Sequence, residues 1–131
     1  MKIALGLGCD RGTPAGTIAQ CIAEALAQAK ATLADVRAVA SIDLKADEIG
    51  LSEVARANGW TIRFYPAVEL AAVDVPNPSE TVRKYTGTPS VSEAAAILVA
   101  GAHQTHLLIE KHKLRGPDGR NATVSIARIP L

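Results

Sequence analysis

The chain has 131 residues, 48% of them hydrophobic and only 3% aromatic, a length that fits one domain able to bury a core without disulfides or metal. Fourteen Lys and Arg face thirteen Asp and Glu, a formal charge of +1, so no global field recruits nucleic acid or a membrane, and few rings are on hand to stack bases. Cys9 and Cys21 are the only cysteines, and the sequence reads without a secretory signal or a membrane-length apolar run, so the expected setting is a reduced cytoplasm.

Lys2 to Leu7 reads as a buried strand, and Gly6-Leu7-Gly8-Cys9-Asp10-Arg11-Gly12-Thr13-Pro14 as the turn that leads from it into a helix. Thr13 and Pro14 fit the N-cap and first position of that helix. It runs to about Lys30 with Ile18, Cys21, Ile22, Ala25 and Leu26 at helical spacing. Val36 to Ile42 is a second strand, Asp47 to Ala57 a helix stopped by Asn58-Gly59, and Thr61 to Tyr65 a third strand. This alternation predicts a parallel sheet with right-handed crossovers.

The pattern then changes. Pro66 to Val73 reads as a short helix, Asp74-Val75-Pro76-Asn77-Pro78 as a rigid loop and Ser79 to Tyr85 as another short helix. Ser90 and Glu93 form a Ser-x-x-Glu capping box ahead of an alanine-rich helix to about Ala100. Strands from Thr105 to Lys111 and Ala122 to Ile129 close the chain as an antiparallel hairpin. The predicted fold is α/β, a three-layer α/β/α single domain spanning 1–131, with a mixed, mainly parallel sheet of about five strands ending in that hairpin.

In open parallel sheets ligands bind beyond the carboxyl ends of the strands, so the first loops should converge on one rim. The glycine-rich junction offers free amides and a helix dipole, and Arg11 adds a charge, which suits an anion. A tight turn that binds nothing fits the same residues. The dinucleotide fingerprint fails because Gly12 arrives one residue late, and the phosphate loop fails for want of Gly-Lys-Ser/Thr.

Asp43, Lys45, Asp47 and Glu48 make a dense charge cluster after the second strand. Its acids either complement a helix N-terminus or leave Lys45 as an anion contact and one carboxylate as a proton acceptor. Lys111, Lys113, Arg115 and Arg120 either protect a sheet edge or grip a polycarboxylate. Cys9 sits where a thiol can be acidified, but no histidine is tied to it in sequence, and a buried or bystander thiol fits its place better than a nucleophile. His103 and His106, three apart, have no acidic or thiol partner and are read as helix C-terminal charges rather than metal ligands. No metal and no cofactor is expected.

Taken in order, Gly6-Leu7-Gly8-Cys9 with Arg11-Gly12-Thr13, Ala40 to Leu51, Phe64-Tyr65, Pro78 to Val82, Val91 to Ala96, Lys111 and Thr123 to Arg128 resemble the CobE family and the related C-terminal domain of CbiG, proteins of cobalamin biosynthesis. Pro89, inside Thr86 to Ser90, departs from the family's usual pattern, which makes ligand contacts from that loop the least transferable. The resemblance implies an α/β/α domain whose ligand is a precorrin or related corrinoid intermediate, a tetrapyrrole rich in acetate and propionate groups. Gly8, Cys9, Arg11, Gly12, Thr13, Asp43, Lys45, Glu48, Ser79, Ser90 and Lys111 are the expected ligand-binding residues.

CobE-like single domains belong with the aerobic branch, where the ligand is free of cobalt. Full-length CbiG proteins open a precorrin lactone with release of acetaldehyde but carry further N-terminal regions, whereas this chain begins at the first strand. Binding or handling of the intermediate is therefore the expected role. The alternatives are a lactone hydrolase with Asp43 or Glu48 as base, and a non-catalytic subunit docked to another enzyme of the pathway.

Overall fold

The computed structural model describes residues 1–131. Ten elements follow one another: β1 (Ile3–Cys9), α1 (Ala15–Gln28), β2 (Val36–Ile42), α2 (Ile49–Asn58), β3 (Ile62–Tyr65), α3 (Ala67–Ala71), α4 (Glu80–Thr86), α5 (Val91–Ala100), β4 (Leu107–Arg115) and β5 (Asn121–Arg128). The five strands form one sheet in the order β3-β2-β1-β5-β4. β1, β2 and β3 are parallel, whereas β5 runs antiparallel to both its neighbours and pairs with β1 from Ile3↔Arg128 to Cys9↔Ala122. The expected mixed sheet with a closing hairpin is present.

The alternation of side chains along β1 decides what can cover each face. Ile3, Leu5 and Leu7 point one way and join Ile18, Ile22 and Leu26 of α1, Leu51 and Val54 of α2, and Val124 and Ile126 of β5 in the main core. Ala4, Gly6 and Gly8 point the other way, where α5 lies with Ala94, Ala95 and Ala96 wholly buried. Small residues on both partners bring helix and sheet very close. A Cβ on Gly6 would come within 1.8 Å of the Ser92 carbonyl oxygen, so glycine is there to admit α5 rather than a ligand. Bulky aliphatics on one face and alanine on the other explain how a chain with so few aromatics fills three layers.

Several local expectations change. Pro14, not Thr13, occupies the N-cap of α1, because the Thr13 hydroxyl is turned back to the carbonyl oxygens of Asp10 and Asn121, 2.8 and 3.1 Å away. α2 starts at Ile49 rather than Asp47, after a 3-10 turn over Asp43–Lys45, and ends on Gly59 in the left-handed region at φ 70°. The Ser90–Glu93 capping box does not form: the Ser90 side chain makes no cap bond, and the Glu93 side chain is engaged elsewhere. His103 and His106 do not serve the end of α5, which closes on Gly101. They cap a 3-10 turn reciprocally, His103 Nδ1 accepting from the Thr105 N–H and His106 Nδ1 from the His103 N–H. β4 runs four residues beyond Lys111, since an edge strand tolerates the alternating charges of Lys113 and Arg115.

Candidate functional site

Because β1 and β2 are parallel neighbours, their carboxyl ends carry the Asp10–Thr13 turn and the Asp43–Glu48 turn side by side. Glu48 is the residue that joins them. It is 4% exposed, its Oε1 accepts the Gly12 N–H at 3.0 Å, and its Oε2 lies 3.2 Å from Arg11 Nη1 and 3.4 Å from Lys45 Nζ. A carboxylate this deeply buried is tolerable because three donors answer its two oxygens. Gly12 has a φ of 79°, the left-handed backbone that aims its amide at Glu48.

Arg11 spreads over the outside of this cluster. Its Nη1 donates to Asp47 Oδ1 at 2.8 Å and its Nη2 to the Leu44 carbonyl at 3.1 Å, yet the side chain remains 61% exposed and that of Asp47 77% exposed. The hydrogen bond from Arg11, followed by its charge, holds the Asp47 carboxyl below its ordinary range. From the hairpin side, Arg120 Nε donates to the Arg11 carbonyl, and Asp10 Oδ2 accepts from both nitrogens of Asn121, at 2.7 Å from the main chain and 3.0 Å from the amide. The turn is thereby tied to β5 on one side and to the start of α2 on the other.

Between the turn and α2 lies an open groove of about 490 Å³, bordered by Arg11, Gly12, Thr13, Asp47, Glu48 and Glu53. The amides expected to be free for an anion are partly used: Gly12 N–H serves Glu48 and Thr13 N–H serves the Asp10 carbonyl. Arg11 is the cation that still faces solvent, and it is paired to a carboxylate that is itself exposed. Such a pair exchanges readily, since an exposed ion pair is held by little free energy.

The remaining expected residues are distributed as follows. Lys45 belongs to the cluster, whereas Asp43 is exposed at the head of the 3-10 turn. Gly8 faces α5, and a Cβ there would meet the Thr123 hydroxyl at 2.6 Å. Cys9 is half-buried, and burial pushes its thiol up to about 11 despite the opposing charge of Lys45, so it is not an acidified nucleophile. Ser79 caps α4 by accepting the Val82 N–H, and Ser90 is buried at the start of α5.

Lys111 does not join the cluster. The register sets it between Ile109, opposite Ile126, and His112, opposite Val124, level with the middle of β1. β4 is two strands from β1, roughly 10 Å across the sheet. Strand register was beyond sequence reasoning, which also passed over the pairing of Asn77 with Glu93 and Arg120's link to Arg11. The proline-flanked Asn77 is the signal that was there to find.

A family model described as cobalamin synthesis G C-terminus matches residues 3–127. A cobalt-precorrin-5A hydrolase of Priestia megaterium is 41% identical over 128 residues, which cover 98% of this chain but only 32% of the relative, so the chain spans about a third of that protein. Protein CobE of a Sinorhizobium species is 39% identical over 111 residues, 83% of this chain and 71% of the relative. Among solved structures, that of CobE, a protein from the cobalamin biosynthetic pathway, superimposes with a TM-score of 0.79 at 28% identity, covering 95% of this chain and 93% of that one.

Proposed function

Since the chain belongs to the cobalamin synthesis G C-terminal family, which includes CobE, we propose that it binds and handles a polycarboxylated precorrin intermediate of the aerobic branch, using the rim around Arg11. The observation that carries this reading is the groove at the carboxyl ends of β1 and β2, where the Arg11 guanidinium faces solvent through an exchangeable carboxylate partner. A ligand carboxylate takes the place of Asp47 on Arg11, gaining a charge-assisted bond to a guanidinium already oriented by the Leu44 carbonyl. Lys45 and Glu48 hold Gly12 and Arg11 in place beneath it. An open groove of this size receives the edge of a macrocycle and its acidic arms rather than enclosing the ring.

Binding is favoured over lactone hydrolysis by the places of the two expected bases: Glu48 is buried with both oxygens engaged by donors, and Asp43 stands exposed at the head of the 3-10 turn outside the residues that border the groove. The relative named as a hydrolase is about three times as long as this chain, which corresponds to about a third of it.

Calorimetric titration with cobyrinic acid, a corrinoid bearing free peripheral carboxylates, is expected to show saturable binding. Arg11→Ala and Lys45→Ala are each expected to weaken it by about tenfold. Unchanged affinity in both variants overturns the site, and acetaldehyde release from a precorrin lactone by the purified chain overturns the preference for binding alone.

A further inference from the structure

A carboxylate removed from water without compensating donors is among the costliest things a fold can contain. Glu93 is 0% exposed; its Oε2 accepts from Asn77 Nδ2 at 2.6 Å, and its Oε1 has no partner. Ser90, buried on the same first turn of α5, has an unpartnered hydroxyl. These are the two members of the Ser-x-x-Glu pattern whose reciprocal bonds to the backbone would have satisfied both. A locally favoured arrangement has been given up here, leaving two buried polar atoms of the first turn of α5 each without a partner, a breach of the kind that gathers at functional sites.

The carboxylate is also one side chain from solvent. Asn77 is exposed, and its amide nitrogen donates additionally to Oε1 of exposed Glu110 at 3.1 Å, so one surface amide is held between two acids. Pro76 and Pro78 flank Asn77 and restrict the backbone that presents it. α5 begins beside Gly8 and lies on the face of the sheet opposite α1 and α2, with the Glu93–Asn77–Glu110 contact on its β4 side.

We propose that Glu93 and Ser90 form a second subsite at the start of α5, one that accepts an uncharged hydrogen-bond donor of the ligand, an N–H or O–H group, in exchange for the Asn77 amide. The inference rests on the reading that the rim binds a corrinoid, and it adds a polarity to it. The Arg11 side selects acids, whereas Glu93 repels an acid and selects a donor. The ligand is thereby oriented, carboxylates toward α2 and a neutral donor toward α5.

Two corrinoid probes separate the two sides: cobyrinic acid, with free carboxylates, and cobyric acid, in which most of them are primary amides. Calorimetry on the wild-type chain is expected to show binding of both. Glu93→Gln, which keeps shape and removes charge, should weaken cobyric acid by about tenfold and leave cobyrinic acid unweakened. Asn77→Ala, which removes the competing amide, should tighten cobyric acid. The subsite is overturned if Glu93→Gln leaves cobyric acid within twofold, or if the wild-type chain does not bind cobyric acid. Loss of cobyrinic acid binding in Arg11→Ala together with an inert Glu93→Gln refutes the subsite alone and leaves the rim standing. Should Glu93→Gln fail to melt cooperatively, Ser90→Ala decides by the same criterion, a loss of more than twofold for cobyric acid supporting the subsite and a smaller change refuting it.

Discussion

At the scale of single residues, the rim is governed by how completely each charge is answered. Asp47 keeps its folded-state carboxyl below the ordinary value of 3.8 through Arg11. A depressed carboxylate contributes stability that is full above its unfolded value and disappears as the pH falls through the lower folded value. Urea midpoints of the wild-type chain and Asp47→Asn should therefore differ modestly near neutrality and converge as the pH falls well below the ordinary carboxyl value of 3.8, and a difference that persists in strong acid contradicts the pairing. Cys9 makes the opposite kind of statement. With its thiol raised to about 11 by burial, it should react with iodoacetamide far more slowly at pH 8 than a free cysteine, and the rate should climb only as the pH approaches that value. A fast reaction at neutral pH would show that the thiol is neither buried nor neutral.

The elements show where sequence is a sufficient guide and where it fails. The apolar run of Ile3 to Leu7, the helical spacing from Ile18 to Leu26 and the stop at Asn58-Gly59 each act within a few residues, and the corresponding strand and helices lie where that local chemistry sets them. The ends of α1 and α2 moved because Thr13 and Glu48, both plausible as helix-terminal residues, are drawn into tertiary bonds with Asn121 and Gly12. Likewise the Ser-x-x-Glu signal at α5 was legible, but Asn77, sixteen residues away, takes the glutamate. The charge cluster of the site could be seen in the sequence; its pairing could not, since Arg11 meets Asp47 across 36 residues of chain.

The close seat of α5 on β1 gives a test at this scale. Gly6→Ala sets a methyl group inside contact distance of both the Ser92 carbonyl oxygen and the Ala96 nitrogen, at 1.8 and 2.6 Å, and neither backbone atom can yield without moving the helix. Overpacking of this kind costs about 1–3 kcal/mol, and here the upper end is expected in chemical denaturation. Gly16→Ala, whose Cβ meets nothing, is the control and should leave stability within about 1 kcal/mol of the wild type or raise it.

For the whole molecule, the sheet order matters more than any contact. β5 lies between β1 and β4, so without it β4 has no neighbour, and the main core loses Ala122, Val124 and Ile126. A chain ending at Pro117 should accordingly lack a cooperative thermal transition, and retention of one would show that the parallel half folds alone. His112 supports the same dependence from outside, its Nε2 2.8 Å from Glu24 Oε1 and its Nδ1 3.1 Å from Gln28, fastening β4 across α1.

The sheet order also bears on how the chain leaves the ribosome. β5 is the tenth of ten elements to be made, yet it occupies a place beside the first. While the preceding residues emerge, β1 exposes one whole edge of unpaired backbone and β4 exposes two; the β1 edge is filled to its end only when Arg128 is free to pair with Ile3, and the outer side of β4 stays an edge of the finished sheet. The nascent chain thus passes through a long interval with open strand edges, during which chaperone protection and the speed of translation through residues 107–128 govern the yield of folded protein.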